Sequence, residues 1–270
     1  MKVFISVDME GITGTTLWDE CNLNHSSYGR HVEQMTKEVV AACEGAIAAG
    51  ATEIVIKDAH NSATNIDLSQ LPEIAKIIRG WSGHPNAMVD GIDATFDAAM
   101  FIGYHSAAGI PGNPLSHTMT GNQWKIKING EPASEFMIYS YAAAHVGVPT
   151  VFLSGDKMLC EAATLQHPTI KTVAVKDGFG GTTINYAPKL TLKQIREVSE
   201  QALKAIKDKS HEVQGKNQLP AHFEVEISYK EHTFATRKGF YPGAKMVDAL
   251  TLKFETDDYF EVLRLFAFVL

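Results

Sequence analysis

Short apolar runs rich in β-branched residues recur along the chain and alternate with stretches of helical periodicity. The clearest runs are residues 3–7, 53–57, 98–102, 149–153 and 170–175. Such alternation is typical of βαβ units built around a mostly parallel sheet. We therefore predict an α/β fold with three layers, in which helices cover both faces of a mostly parallel sheet.

The helical stretches between these runs are predicted at about 31–49, 134–147 and 157–165. Gly50 follows the first of them, at a position where glycine commonly ends a helix. A weaker apolar stretch, 74–78, is a further strand candidate. The alternating segment 124–128 ends in Asn129-Gly130, the pair favoured in tight reversals, so we expect an antiparallel excursion there.

The pattern changes in the last third of the chain. An amphipathic helix begins near Thr191 and leads to a charged linker at 208–218, an alternating strand at 223–227, a strand at 252–255 and an apolar helix at 259–270. We predict an α/β metal-binding catalytic domain over 1–188 and a smaller α+β C-terminal portion over 189–270.

Charge and cysteine usage exclude several classes of partner. The 270 residues carry 24 Lys and Arg against 31 Asp and Glu, a net charge of −7, without a long run of either sign. Nucleic acid and anionic membranes are therefore disfavoured as partners. Three cysteines without a CxxC spacing indicate a reducing compartment, where they would act as small hydrophobes. The apolar run 3–7 is too short for a signal peptide, and we predict a cytoplasmic protein.

Candidate metal ligands follow three successive predicted strands. Asp8 and Glu10 come after the first, Asp58 and His60 after the second, and His105 after the strand at 98–102. The carboxyl ends of parallel strands lie along one edge of a sheet, where open α/β folds build their sites. Residues i and i+2 of an extended chain also project to the same side. Carboxylate oxygen and imidazole nitrogen together suit zinc, manganese or iron.

Each of these residues also has an ordinary structural interpretation. Carboxylates beside Gly11 can terminate a strand in a polar turn, and a loop histidine can simply be hydrogen-bonded. Glu135 lies in the first turn of a predicted helix, where acidic residues are favoured by the helix dipole alone. His117 lies on a proline-flanked loop that could aim an imidazole or hold a structural one. The residues alone leave a metal site and ordinary polar loops as alternatives.

A series of motifs resembles one known family. The segments 6–11, 58–62, 103–105 and 116–117 match the DppA-type zinc D-aminopeptidases in order and separation. The similarity extends through Asn129-Gly130 to Glu135 and to 154–156, and more loosely to 241–243. It therefore covers most of the chain.

The resemblance implies a metallopeptidase with two zinc ions per subunit. The positions that match the family's zinc ligands are Asp8, Glu10, His60, His105 and Glu135, with Asp8 bridging the metals. His117 matches the family's catalytic histidine. The implied reaction is hydrolysis of the N-terminal residue of short peptides or aminoacyl amides, and the implied assembly is a ring-like homodecamer. Asp58 and Asp156 are interpreted as groups that orient His60 or the substrate amine, or else as surface acids.

Two alternatives remain open from the sequence. A two-metal phosphoesterase or another amidase would use the same ligands, and the loop 178–181 is the only hint of phosphate binding, without the lysine and spacing of a P-loop. A non-catalytic, ring-forming scaffold would use the histidines only to satisfy buried polar groups. The choice between D- and L-residues, the side chain preferred, the native metal and the physiological peptide are not readable from the sequence.

Overall fold

A computed structural model describes residues 1–207 and 219–270, so the predicted linker 208–218 lies outside the described residues. The strands are β1 (Lys2–Val7), β2 (Glu53–Asp58), β3 (Ala75–Ile78), β4 (Ala98–Tyr104), β5 (Gln123–Ile128), β6 (Glu131–Pro132), β7 (Thr150–Asp156), β8 (Lys171–Phe179), β9 (Thr182–Asn185), β10 (Phe223–Tyr229), β11 (Lys245–Met246) and β12 (Thr251–Thr256). The helices are α1 (Tyr28–Ala48), α2 (Glu135–His145), α3 (Lys157–Gln166), α4 (Pro188–Lys207), α5 (His232–Lys238) and α6 (Tyr259–Val269).

The main sheet has the strand order β3-β2-β1-β4-β7-β8-β9. All neighbouring pairs are parallel except β8 with β9, which is antiparallel. Because the strands β1, β2, β4 and β7 run in one direction, their carboxyl ends meet at the same edge of the sheet. The predicted α/β fold is confirmed.

Successive residues of β1 enter two different cores, as expected of a strand covered on both faces. Phe4 belongs to the core cluster that includes residues of α2 and α3, whereas Val3 and Ile5 belong to the cluster that includes residues of α1 and α4. Helix α1 contributes small and apolar side chains at helical spacing, among them Val39 and Ala42, so it can lie close to the sheet. The main sheet therefore forms the middle of three layers.

A second, antiparallel sheet has the order β11-β12-β10-β5-β6. Strand β5 buries Ile126 and Ile128 while exposing Trp124, the alternation expected of a sheet with one solvated face. Asn129 and Gly130 both have positive φ, so the predicted tight reversal is present between β5 and β6. In this sheet β5, from before residue 188, pairs with β10, from after it. The division of the chain into 1–188 and 189–270 stays a prediction.

The strand predicted to stop at Val175 continues to Phe179. It continues because β9 pairs with it through a hairpin whose turn holds Gly180 at φ 56°, so backbone pairing extends beyond the apolar run. The loop 178–181 is thus a hairpin turn and not the strand–loop–helix arrangement of a phosphate-binding loop.

The apolar composition of α6 is explained by packing. Val262, Leu263 and Phe266 are buried, and the helix lies against α2 and the second sheet. The Tyr259 hydroxyl donates to the Ile138 carbonyl at 2.6 Å and fixes α6 to α2. Among residues 1–207 and 219–270, no helix has the length and apolarity needed to cross a membrane.

The contact between α1 and α4 depends on a glycine. A Cβ at Gly45 would lie 2.1 Å from Ser199 Oγ and 2.4 Å from the Arg196 carbonyl oxygen, so Gly45→Ala must push the helices apart. We predict a loss of about 1–3 kcal/mol in the free energy of unfolding. A Cβ at Gly29, in the same helix, would meet nothing within 4 Å, so Gly29→Ala is the matched control and should be neutral or slightly stabilising. Equal denaturation midpoints for the two variants would contradict this packing.

Candidate metal centre

The five predicted metal ligands lie together at the carboxyl edge of the main sheet. Three strands and one helix present them: β1 is followed by Asp8 and Glu10, β2 by His60 and β4 by His105, while Glu135 is the first residue of α2. All five residues are at most 5% exposed. Side chains separated by up to 127 positions in the sequence are therefore brought into one buried cluster.

Asp8 lies between the two histidines. Its Oδ1 is 3.4 Å from His60 Nδ1, and its Oδ2 is 3.4 Å from His105 Nε2. Glu10 flanks the first histidine, with Oε2 at 2.9 Å from His60 Nδ1. Glu135 flanks the second, with Oε2 at 3.5 Å from His105 Nε2. The arrangement has two halves that share a single carboxylate.

His117, the predicted catalytic residue, borders the second half. Its Nε2 is 3.7 Å from Glu135 Oε1, and its ring stacks on that of His105 with centroids 4.4 Å apart and an angle of 10° between the planes. The Trp18 ring packs edge-on against His117, with 5.2 Å between the ring centroids. The imidazole is therefore held in orientation while one nitrogen remains directed at the carboxylates.

Backbone carbonyls fix which nitrogen of each histidine carries a proton. His60 Nε2 is 3.1 Å from the Cys21 carbonyl oxygen, and His105 Nδ1 is 3.0 Å from the Ser106 carbonyl oxygen. A carbonyl oxygen can only accept, so these ring nitrogens donate. In the neutral rings the other nitrogens, which face the carboxylates, carry lone pairs. This is the arrangement by which proteins orient metal-binding histidines.

The electrostatics of the cluster are those of an anion-rich, water-poor site. Burial and the neighbouring charge of Glu10 raise the pKa of Asp8 to about 8. Burial opposes ionisation of Glu10 and Glu135 as well, but the adjacent imidazoles lower the pKa of both carboxyls. Burial would lower the pKa of His105, but Glu135 and Asp8 outweigh it and raise that pKa to about 10. These shifts show that the cluster favours positive charge beside its carboxylates.

Two buried atoms of the cluster have no hydrogen-bond partner among the described residues. They are Asp8 Oδ2 and His105 Nε2, which face each other across 3.4 Å. The donor atoms fall into three groups of mutual distance below 4.8 Å: Glu10 with Cys21 and His60, His105 with His117 and Glu135, and Asp8 with Glu10 and His105. A divalent cation would satisfy both unpartnered atoms, and a mixed nitrogen and oxygen set fits zinc.

Asp58 is not a surface acid, because it is fully buried. Its carboxylate accepts from the Asn65 amide at 2.6 Å and the Ile66 amide at 2.9 Å, and from the Asn65 side chain at 2.7 Å. The Asn65 side chain also donates to the His60 carbonyl at 2.7 Å. Asp58 thus fixes the backbone of the loop that carries His60, without touching the imidazole.

Asp156 has the same function on the other side. Its carboxylate accepts from the amide and hydroxyl of Ser106, both at 2.6 Å, and from the Leu159 amide at 2.9 Å, which caps α3. Since Ser106 provides the carbonyl that receives the proton of His105, Asp156 fixes that tautomer indirectly. It does not line the central cavity, so it is a poor candidate for binding a substrate amine.

Lys176 is a buried lysine that the sequence analysis did not identify, and it contacts both the segment that carries Glu10 and the strand that carries Asp156. Lys176 on β8 is fully buried and donates to the carbonyls of Glu10 and Thr15, each at 2.5 Å. It pairs in register with Asp156, whose charge favours the ammonium, although burial lowers the pKa of Lys176 to about 8. The sequence contains a signal that could have identified this residue. Lys176 is a charged residue directly after the predicted strand at 170–175, just as Asp8 directly follows the predicted strand at 3–7.

Close approach of two loops depends on Gly11. Its amide donates to the Gly103 carbonyl at 2.8 Å, and a Cβ on Gly11 would lie 1.8 Å from the Tyr104 carbonyl oxygen. Only glycine allows the segment after β1 to pass against the end of β4 at this distance. This contact brings Asp8 and Glu10 beside His105.

The cluster lies at the base of a cavity of about 640 Å³, a size suited to a small ligand. Its walls are largely aromatic and apolar, with Trp18, Trp81, Met88 and Met119 around the three carboxylates. The Trp81 indole donates to the Asn61 carbonyl at 2.7 Å, and Lys57 Nζ lies 4.3 Å from its ring centroid. These wall residues had no recognisable signal in the sequence, because they come from loops.

Comparison with known proteins agrees with this geometry. The family model described as D-aminopeptidase, Peptidase_M55, matches residues 1–268. A D-aminopeptidase of Bacillus subtilis is 34% identical over 176 residues, a stretch that spans 65% of this chain and 64% of that relative. A solved structure, described as the zinc-dependent D-aminopeptidase DppA from Bacillus subtilis, a self-compartmentalizing protease, superposes with a TM-score of 0.90 at 27% identity over 98% of this chain and 95% of that one. The resemblance predicted from the motifs is confirmed, and the chain belongs to the Peptidase_M55 family of D-aminopeptidases.

Proposed function

We propose that this protein is a zinc-dependent aminopeptidase that removes an N-terminal D-residue from short peptides or aminoacyl amides. The proposed ligands of two zinc ions per subunit are Asp8, Glu10, His60, His105 and Glu135. The observation that carries the proposal is the position of Asp8, whose two oxygens face His60 and His105 at equal distances of 3.4 Å. A carboxylate placed in this way is suited to bridging two cations.

Zinc bound at these residues would lower the pKa of a water ligand and polarise the scissile carbonyl. The protein contributes rigidity, because Asp58, Asp156 and the backbone carbonyls fix the loops and the histidine tautomers. Burial of the carboxylates keeps competing water away from their charge. The residues proposed to bind zinc are therefore held in position before a substrate binds.

His117 is proposed as the acid–base group. Its Nδ1 donates to the Leu115 carbonyl at 2.9 Å, so Nε2 is the nitrogen free to hold or transfer a proton in the cavity. Stacking on His105 places that nitrogen beside the second half of the site. A positioned imidazole of this kind can protonate the leaving amine or stabilise the developing oxyanion.

The cavity is suited to a substrate with a free amine and an apolar side chain. With zinc bound at these residues, the free amine of a substrate could bind a metal, and Trp18 and Trp81 provide apolar contact surface. Among the described residues that line this cavity there is no lysine or arginine, but two bound metals would themselves bind a phosphate group, so the phosphoesterase alternative is decided by the substrate panel below.

The roles of the two histidines are separable by substitution. His60→Ala should remove at least one zinc per chain and abolish turnover, because Glu10 and Asp8 lose their shared partner. His117→Ala should retain both metals and lower kcat by about 10²–10⁴-fold, the usual contribution of general acid–base catalysis. Metal content is measured by mass spectrometry after purification without chelators. The control is His145→Ala at the exposed end of α2, and full activity in either site variant would refute the assignment.

Substrate class is tested with matched D- and L-aminoacyl amides and a panel of phosphate monoesters and diesters. We expect hydrolysis of the D-amides, with kcat/KM above that of the L-amides and no turnover of the esters. Protein reloaded with zinc after chelator treatment should recover the same preference. Preference for the L-series would overturn the proposed chirality, and turnover of the esters alone would overturn the reaction class.

The proposed assembly is a decameric ring located in the cytoplasm. It is supported by the self-compartmentalizing description of the similar structure, and by large apolar side chains on the described surface, such as Phe240 at 83% and Phe268 at 65% exposure. All three cysteines are free thiols, in agreement with a reducing compartment. Light scattering should give about ten times the chain mass of 29.5 kDa, and a monomer at micromolar concentration would contradict the ring.

A further inference from the structure

Cys21 is a buried side chain that the five-ligand centre does not use. It ends the short 3-10 turn Trp18–Cys21, is 4% exposed and lines the central cavity. The potential ligand atoms of Cys21, Glu10 and His60 lie within 4.8 Å of one another. Zinc bonds of about 2.0–2.3 Å to nitrogen, oxygen and sulfur place such atoms roughly 3–4 Å apart, so only a small adjustment separates this group from a coordination shell.

The thiol is presented by a rigid segment. The Glu20 carboxylate accepts from the amides of Thr16 at 2.7 Å and Leu17 at 2.9 Å, and it lies 3.5 Å from His31 Nε2. The Cys21 carbonyl in turn receives the Nε2 proton of His60 at 3.1 Å. The residue that orients this histidine therefore also carries the sulfur, so thiol and imidazole are fixed relative to each other.

Two unpartnered atoms of the same metal centre indicate that a cation belongs beside Asp8. Asp8 Oδ2 has no hydrogen-bond partner among the described residues and faces His105 Nε2, which also has none, while the other oxygen of the Asp8 carboxylate faces His60. The group of potential ligand atoms around His105 contains His117, which is proposed as the acid–base group and not as a metal ligand. The group around His60 contains Cys21, a thiol with no other proposed role in the centre.

We propose that Cys21 is a sulfur ligand to the metal on the His60 side, so that the centre consists of one thiolate-containing site and one site of nitrogen and oxygen donors only. The inference rests on the proposed two-metal centre and deepens it. Zn²⁺ and Cd²⁺, which accept thiolate, should bind the His60 side in preference to Mn²⁺, which favours oxygen.

Binding of a metal to the Cys21 sulfur would release the proton of the thiol. Without metal, burial and the nearby carboxylates of Glu10 and Asp8 raise the pKa of the Cys21 thiol, so sulfur keeps its proton. A cation reverses this local electrostatic balance, because a coordinating thiol is deprotonated. As the metal–sulfur bond forms, the S–H bond breaks and the proton passes to bulk water.

The other two cysteines provide matched controls. Cys43 lies within α1 and Cys160 within α3, and both are buried free thiols in apolar clusters. Neither belongs to a group of potential ligands in the part of the chain that the structure describes. Substituting them changes the thiol count without changing the proposed coordination.

The test is the near-ultraviolet absorption of the full-length protein loaded with Co²⁺, with metal content measured on the same samples. Wild type, Cys43→Ser and Cys160→Ser should show a thiolate-to-cobalt charge-transfer band, and Cys21→Ser should lack it while still binding Co²⁺. Competition with a chelator should show Zn²⁺ bound at least about tenfold more weakly in Cys21→Ser, as loss of a ligand requires.

The outcomes separate the two proposals. Two Co²⁺ per wild-type chain without a charge-transfer band would overturn the role of Cys21 and leave the metallopeptidase proposal standing. No bound metal in wild type would overturn the metal centre itself, and with it this inference. The wild-type spectrum decides the point even if Cys21→Ser does not fold, and Cys21→Ala provides a second variant of similar volume.

Discussion

The structure depends on the burial of three carboxylates beside two imidazoles at one edge of a parallel sheet. Carboxylates removed from water repel one another, and the raised pKa of Asp8 expresses that cost. Protonated histidines offset part of it, because the nitrogens opposite the carbonyl-bound His60 Nε2 and His105 Nδ1 face these carboxylates. Divalent cations bound between the carboxylates and the neutral imidazoles would offset more of it.

The surrounding fold is organised to maintain this cluster. Asp58 and Asp156 bind the loops that carry His60 and His105, and Lys176 binds the segment after β1. None of these three residues needs to touch a substrate. Their hydrogen bonds are made largely to backbone atoms, which is why they hold the loops and not single side chains. A site of this kind is rigid before ligand binding, which favours a precise arrangement of the reacting groups.

Much of the main sheet was predictable from the sequence, because apolar strands such as 3–7 and 98–102 are buried on both faces and leave a continuous apolar signal. The extension of β8 to Phe179 was not, since hairpin pairing with β9 continues without apolar residues. Asp8, His60 and His105 could be predicted from the sequence because they follow strands, and the carboxyl ends of parallel strands lie at one edge of the sheet. Glu135 needed the family resemblance, as its position in a helix is equally typical of an ordinary first turn.

The residues that the sequence did not reveal share one property: they act from loops or through buried polar contacts. Trp81 lines the cavity, where Lys57 and the Asn61 carbonyl contact its indole. Cys21 has no spacing that marks it as a ligand, and its proximity to His60 arises from the course of the segment between β1 and α1. Periodicity reports which face of an element is buried, but it carries no information about such tertiary proximity.

The most direct measurement of the central claim is an anomalous difference map, recorded at the zinc absorption edge from crystals grown with zinc. We expect two peaks per chain on either side of Asp8, one next to His60 and one next to His105. A map without peaks at this edge of the sheet, or with zinc bound only at surface histidines, would contradict it.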